Sequence, residues 1–196
     1  MNKGRVEAFT DAVVAIVLTI MVLEFKTPEE PTFAALAQNW SYLVAYLISF
    51  LFIGVAWYNH HYMFALTKRV TKKIYWVNNI WILVMAMLPV STAWAGKFIF
   101  KVQPEIFYFV IFTFWAWAYA ALSYTVMRTN QAHDPQIAQK IRNMSVYRLH
   151  ANVWFWLVWL IVFGLIFVWP PISLVFTLVE LVAMAVYTPA DSDKLF

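Results

Sequence analysis

Six apolar runs of bilayer length, joined by short polar loops, constrain this chain more than any other feature it has. In lipid the backbone must satisfy its own hydrogen bonds, so apolar runs of about 20 residues are read as membrane-spanning helices. The spans are placed at about 5–25, 33–61, 74–96, 104–128, 147–169 and 171–189. Composition agrees with that reading: 63% of the 196 residues are hydrophobic, 19% aromatic and 12% charged, more apolar surface than one water-soluble core can hide. The expected fold class is therefore an all-α membrane protein of six transmembrane helices, a single domain over 1–196.

The polar punctuation supports these boundaries. Asp11 interrupts the start of the first run, Glu24 ends it and no small-residue cleavage site follows, so it is expected to remain as a span and not to act as a signal peptide. Pro28 and Pro31 stop helix propagation in the loop after it, and Thr32 offers an N-cap for the second span. Pro89 is expected to kink the third span, where its ring removes a backbone hydrogen bond. The longest loop, 129–146, has room for a short helix over 135–142, and Pro170-Pro171 forces a tight turn into the sixth span. Trp40, Trp94 and Trp169 near span ends suit interfacial anchoring.

Charge sets the orientation. Lys3, Arg5, Lys68, Arg69, Lys72, Lys73, Arg128, Lys140, Arg142, Arg148 and Lys194 fall on one side of the map, and Lys26, Lys97 and Lys101 on the other. By the positive-inside rule both termini are cytoplasmic. The same distribution accounts for the net charge of +4 without nucleic acid, since the basic residues lie in loops between spans. The absence of cysteine removes disulfides, thiolate metal sites and cysteine nucleophiles together.

The first span carries the most pointed signal. From Ala12 to Leu23 its single polar side chain is Thr19, while Glu7, Thr10 and Asp11 cluster at its cytoplasmic end. At 100° per residue from Ile16, those three fall at about 180°, 120° and 140°, whereas Phe9, Ala12, Thr19, Ile20 and Leu23 lie within about 60° of it. One face thus carries polar groups toward neighbouring helices, and the other is an apolar stripe interrupted only by a hydroxyl. His60 and His61 at the end of the second span, and Asn78 and Asn79 early in the third, share the depth of Asp11.

These residues resemble a known family. Arg5-x-x-x-Phe9-Thr10-Asp11 is similar to the Arg-x-x-x-Phe-Ser-Asp signature that opens the first helix of the transmembrane-protein-175 family, the endolysosomal potassium channels and their bacterial relatives. Trp57-x-x-His60 and the stretch from Asn79 to Pro89 resemble the family pattern as well, and Thr10 departs from it where serine is usual while keeping the hydroxyl. One six-helix unit covering the chain matches the bacterial form.

The resemblance implies a homotetramer in a bacterial inner membrane, in which four copies of the first helix line a potassium-permeable pore. Ile16 would be the hydrophobic constriction, Thr19 a hydroxyl layer, and Ile20 and Leu23 further lining. Arg5, Phe9, Thr10, Asp11, Trp57, His60 and Asn79 would form the network that seats the pore helix. With only Gly4, Gly54, Gly96 and Gly164 the chain has no carbonyl-lined filter motif, so selectivity for potassium over sodium is expected to be limited. The implied partners are potassium ions, the bilayer and further copies of the chain; no cofactor or metal and no enzymatic activity are expected.

Other readings of the same residues stay open at this level. An apolar stripe also suits helix packing, and a non-conducting structural bundle would have one. Asp11 can pair with Arg5 or with a histidine; shared depth favours a hydrogen bond to His60, which is otherwise a packing residue or a protonation switch. Glu180, near the middle of the sixth span, is either the proton site of a proton-coupled transporter or a carboxyl held by the Trp159 indole, and the second is the reading taken. His60, His61 and His150 lack the spacing of a haem or metal enzyme.

Overall fold

The computed structural model describes residues 2–188. Pro189, where the sixth span was expected to end, and Lys194 of the charge count lie outside the described residues. The elements are α1 (Lys3–Leu23), α2 (Phe33–Ala37), α3 (Trp40–Leu66), α4 (Lys72–Met85), α5 (Leu88–Lys97), α6 (Val102–Gln131), α7 (Pro135–Asn143), α8 (Ser145–His150), α9 (Val153–Leu165) and α10 (Ile172–Val186), with no strand among the described residues.

Four stretches are long and apolar enough to cross a membrane: α1, α3, α4 with α5 taken together, and α6. α9 and α10 are apolar but have 13 and 15 residues, about 20 and 22 Å of helical rise. Each is shorter than a hydrocarbon core of about 30 Å.

Local chemistry explains where the helices differ from the expected spans. Thr32 caps a separate five-residue helix, accepting from Ala35 N at 3.1 Å, and the long second helix starts later, at Trp40. The expected kink at Pro89 is a break: α4 ends at Met85, and Pro89 falls in the first turn of α5, where a missing N–H costs nothing. The expected span 147–169 is interrupted at Ala151 and Asn152, because the Asn152 side chain caps α9 by accepting from Trp154 N at 3.0 Å. The short helix expected over 135–142 is α7, with Asp134 as its N-cap, accepting from Gln136 N and Ile137 N.

α3 and α6 carry the centre of the bundle. Phe52 of α3 meets Phe112 and Trp115 of α6 edge-on, at ring separations of 5.0 and 4.9 Å. α4 packs on α6 through Trp81 and Tyr119, α10 lies along α3, and α1 crosses α3, α4 and α5. α3 and α5 approach so closely that a Cβ on Gly96 would sit 2.8 Å from Tyr42 Cα, and Ser41 Oγ donates to the Gly96 carbonyl at 2.7 Å. On the other side of the bundle Lys68 Nζ reaches Asp134 Oδ2 at 2.8 Å, tying the loop after α3 to the start of α7. That hydrogen bond, helped by the Ile137 and Gln136 backbone N–H groups, holds the Asp134 carboxyl below the usual carboxylate range.

Candidate functional site on the first helix

α1 is two-faced in the way its sequence implies. Val6, Thr10, Val14, Val17 and Met21 recur at steps of three and four and are buried against the bundle. Phe9, Ile16, Thr19, Ile20 and Leu23 lie on the opposite face, with Ile16 55% and Leu23 76% exposed in the single chain. Large apolar side chains left uncovered in a row mark a surface meant for lipid or for other protein.

The buried face is fastened to α3 at three heights. Lys3 Nζ donates to the Ala65 carbonyl at 3.2 Å near the start of α1. Trp57 Nε1 donates to Asp11 Oδ1 at 2.8 Å two turns further along. At the far end Tyr42 OH donates to the Met21 carbonyl at 2.6 Å, satisfying one of the oxygens that a helix terminus leaves without an intrahelical partner.

A second set of bonds joins α1 to α4 at the level of Asp11. His60 Nε2 donates to Asn78 Oδ1 at 2.8 Å, Asn78 Nδ2 donates to Thr10 Oγ1 at 2.8 Å, and Thr10 donates to the Val6 carbonyl at 2.9 Å. Each donor has one acceptor, so this buried chain is directional and His60 carries its proton on Nε2. His60 is fixed between the rings of Phe64 and Trp81, at 4.2 and 4.8 Å. Trp57 is held in turn by stacking on His61 at 5.6 Å.

The residues expected at this site are thus brought together with different partners. Asp11 bonds Trp57, while the acceptor for His60 is Asn78. Asn79 lies off the chain, its amide donating to the Tyr75 carbonyl at 2.7 Å on its own helix. Asn78 belongs to the buried face of α4 with Ile74, Trp81, Ile82 and Met85, so the apolar periodicity around it already separates it from its neighbour. Arg5 is exposed, and its backbone N–H donates to the Asn2 side chain that caps α1. Phe9 is 48% exposed, on the same face as Ile16.

On that outer face Thr19 is set up as an oxygen donor. Its hydroxyl proton goes to the Ile16 carbonyl at 2.8 Å, which leaves its lone pairs directed away from the helix. Among the described residues no three His, Asp or Glu side chains group as metal ligands would.

The acid in the last span is not held as expected. Glu180 is buried, but its Oε1 has no hydrogen-bond partner, and neither has the Trp159 indole that was to hold it. A second buried acid, Glu105, takes the Ser173 hydroxyl as donor. Glu105 lies next to Pro104 at the start of a helix, where an acid reads as interfacial.

Comparison with known proteins agrees with this arrangement. Residues 5–89, which contain all but the first two residues of α1 and the chain from His60 to Thr10, match the model of the family described as endosomal/lysosomal potassium channel TMEM175. A protein named potassium channel from Chryseobacterium sp. is 38% identical over 128 residues, covering 65% of this chain and 67% of that one. Another so named, from Streptomyces collinus, is 33% identical over 146 residues, covering 70% and 71%. Among solved structures, the lysosomal potassium-selective channel TMEM175 homolog from Chamaesiphon minutus superposes with a TM-score of 0.76 at 25% identity, over 94% of this chain and 96% of that one. On sequence and fold together, this chain belongs to the TMEM175 family.

Proposed function

We propose that this chain is the subunit of a potassium-permeable channel and that four copies of α1 line its ion path. The family is one of ion channels and not of enzymes, and the bacterial relatives are named potassium channels. The observation that carries the reading is the division of α1: one face bonded to α3 and α4, the other a bare stripe of Ile16, Thr19, Ile20 and Leu23. A helix anchored on one side is a stiff wall for whatever lies on the other.

In this assembly a ring of Ile16 side chains is the constriction, closed by dewetting until the ring widens. Thr19 oxygens, their protons committed to the Ile16 carbonyls, stand in for part of the water shell of a cation. Hydroxyls have a weaker field than stacked carbonyls, so potassium is preferred over sodium by a limited margin. Arg5, Phe9, Thr10, Asp11, Trp57 and His60 act indirectly by seating the wall.

The surrounding architecture completes the proposal. The chain crosses the bacterial inner membrane six times as one domain, with the two short helices α9 and α10 as the last crossings and both termini cytoplasmic. The basic residues on the Lys68 and Arg128 side of the map support that orientation.

The test is the reversal potential of the full-length protein in planar bilayers under potassium and sodium gradients. Potassium over sodium selectivity that changes in Thr19→Val, with larger leak in Ile16→Ala, is the expected result. Chloride permeation, no conduction, or currents identical in all three proteins would refute it.

A further inference from the structure

The bundle holds a second polar system, to which α1 contributes none of the bonds. Thr92 of α5 donates to Ser49 Oγ of α3 at 2.9 Å, and Ser49 lies 3.1 Å from the Tyr108 hydroxyl of α6. On α10, Thr177 donates to the Ser173 carbonyl at 3.0 Å. Ser173 donates to Glu105 Oε2. Four helices thus contribute buried hydroxyls to this system.

Two buried carboxyls belong to this part of the bundle: Glu105 of α6, 0% exposed, about one turn before Tyr108, and Glu180 of α10, 4% exposed, about one turn after Thr177. Each has one oxygen, Oε1, sealed from solvent without a hydrogen-bond partner. The titratable groups here are Glu105 and Tyr108 from α6 and Glu180 from α10. α3 and α5 offer hydroxyls alone, and α9 packs the Trp159 indole on Phe109 and Phe176 nearby. The ion pairs among the described residues, Lys3 with Glu7 and Lys68 with Asp134, do not involve either acid.

An ionised carboxylate in an apolar interior with no cation beside it is too costly to persist, so some positive ligand has to accompany each acid. A metal ion does not suit the place. It needs several converging oxygens, whereas Glu180 Oε1 has no polar neighbour in bonding range and no three His, Asp or Glu side chains group together among the described residues. A proton needs one oxygen, and one stands unpartnered on each acid.

We propose that Glu105 and Glu180 make up a proton-binding site in the core of every subunit, separate from the α1 face, one acid on α6 and the other on α10. Each carboxylate takes one proton on its unpartnered oxygen to become a neutral carboxylic acid. Losing either proton leaves a bare charge where α10 meets α6 and α3, so occupancy of the site keeps α10 seated.

Infrared spectroscopy of the full chain in a maltoside detergent, which has no carbonyl, tests this directly. Glu7, Glu24, Glu29 and Glu30 are exposed or half-buried, so a neutral glutamic acid carbonyl band at neutral pH, identified by isotopic labelling of glutamate, reports Glu105 and Glu180. The expected result is a band that shifts in heavy water and is lost on alkalinisation. Glu105→Gln and Glu180→Gln each lower it, the double variant abolishes it, and melting of the double variant is less sensitive to alkali than that of wild type. Absence of the band from labelled wild-type protein overturns the proposal even if no variant folds, as does a band unchanged in both variants. The readout needs no ion current, so its failure is distinct from failure of the channel reading.

Discussion

The Asn78 amide donates to the Thr10 hydroxyl across 2.8 Å, and through that bond α4 holds the only polar side chain on the buried line of α1. The same amide accepts from His60, so one side chain joins three helices.

Asn78→Ala should therefore leave two buried polar groups short of a partner and cost about 1–3 kcal/mol for each group left unsatisfied. Asn79→Ala, which breaks a bond within one helix at a half-buried position, should stay near 0.5 kcal/mol. Thermal unfolding of the two proteins in detergent compares them. Equal losses would contradict the pairing.

Ile16→Ala and Val14→Ala remove methyl groups from opposite faces of α1. Val14 is buried, and its loss should cost about 1–2 kcal/mol of stability with little effect on current. Ile16 is exposed in the single chain, so its truncation should leave the melting temperature of the subunit fold nearly unchanged and raise leak conductance. Paired melting curves and bilayer recordings separate the two outcomes.

Gly96→Ala should force α5 away from α3, because the new Cβ meets the Tyr42 backbone at 2.8 Å and no side-chain rotation can relieve it. Overpacking of this kind costs about 1–3 kcal/mol. Gly54 has open space around its position and provides the control: Gly54→Ala should not destabilise by overpacking. Denaturation midpoints of the two variants give the comparison.

The Lys68 to Asp134 contact predicts an acid-sensitive attachment of α7. The hydrogen bond from Lys68 lowers the folded-state pKa of Asp134 beneath its unfolded value. Its contribution is complete above the unfolded pKa and fades as pH falls through the lowered one. Hydrogen exchange at the Gln136 and Ile137 amides, corrected for intrinsic rates, should rise over that acidic window in wild type. Asp134→Asn should show the faster exchange already at neutral pH.

Much of this was legible in the chain. The helical class, the first span and the helix over 135–142 follow from residue spacing and proline chemistry, Pro89 was read as a kink where the helix breaks, and the angular arithmetic on α1 placed Ile16, Thr19 and Leu23 opposite Thr10. What failed was the choice among residues at equal depth. Depth along an axis says nothing about direction around it, so Asp11 was matched with His60 where the bond is to Trp57, and Glu180 with Trp159 where there is none. The face of α4 would have favoured Asn78 over Asn79. The pairing of Glu105 with Ser173, 68 residues apart, has no local trace at all.

The end of α1 that Tyr42 secures has an electrostatic consequence. A helix gathers partial negative charge at its last carbonyls, and here Tyr42 and the Glu24 and Phe25 amides occupy only the Met21 and Val22 oxygens. Exposed Glu24 follows immediately, and no basic side chain lies in the last turn. In the proposed tetramer, four such termini would surround the outer mouth just beyond Leu23, concentrating cations and repelling anions before either reaches a threonine. Charge discrimination would then be settled at the entrance, leaving the narrow part of the path only the finer task of telling one alkali ion from another.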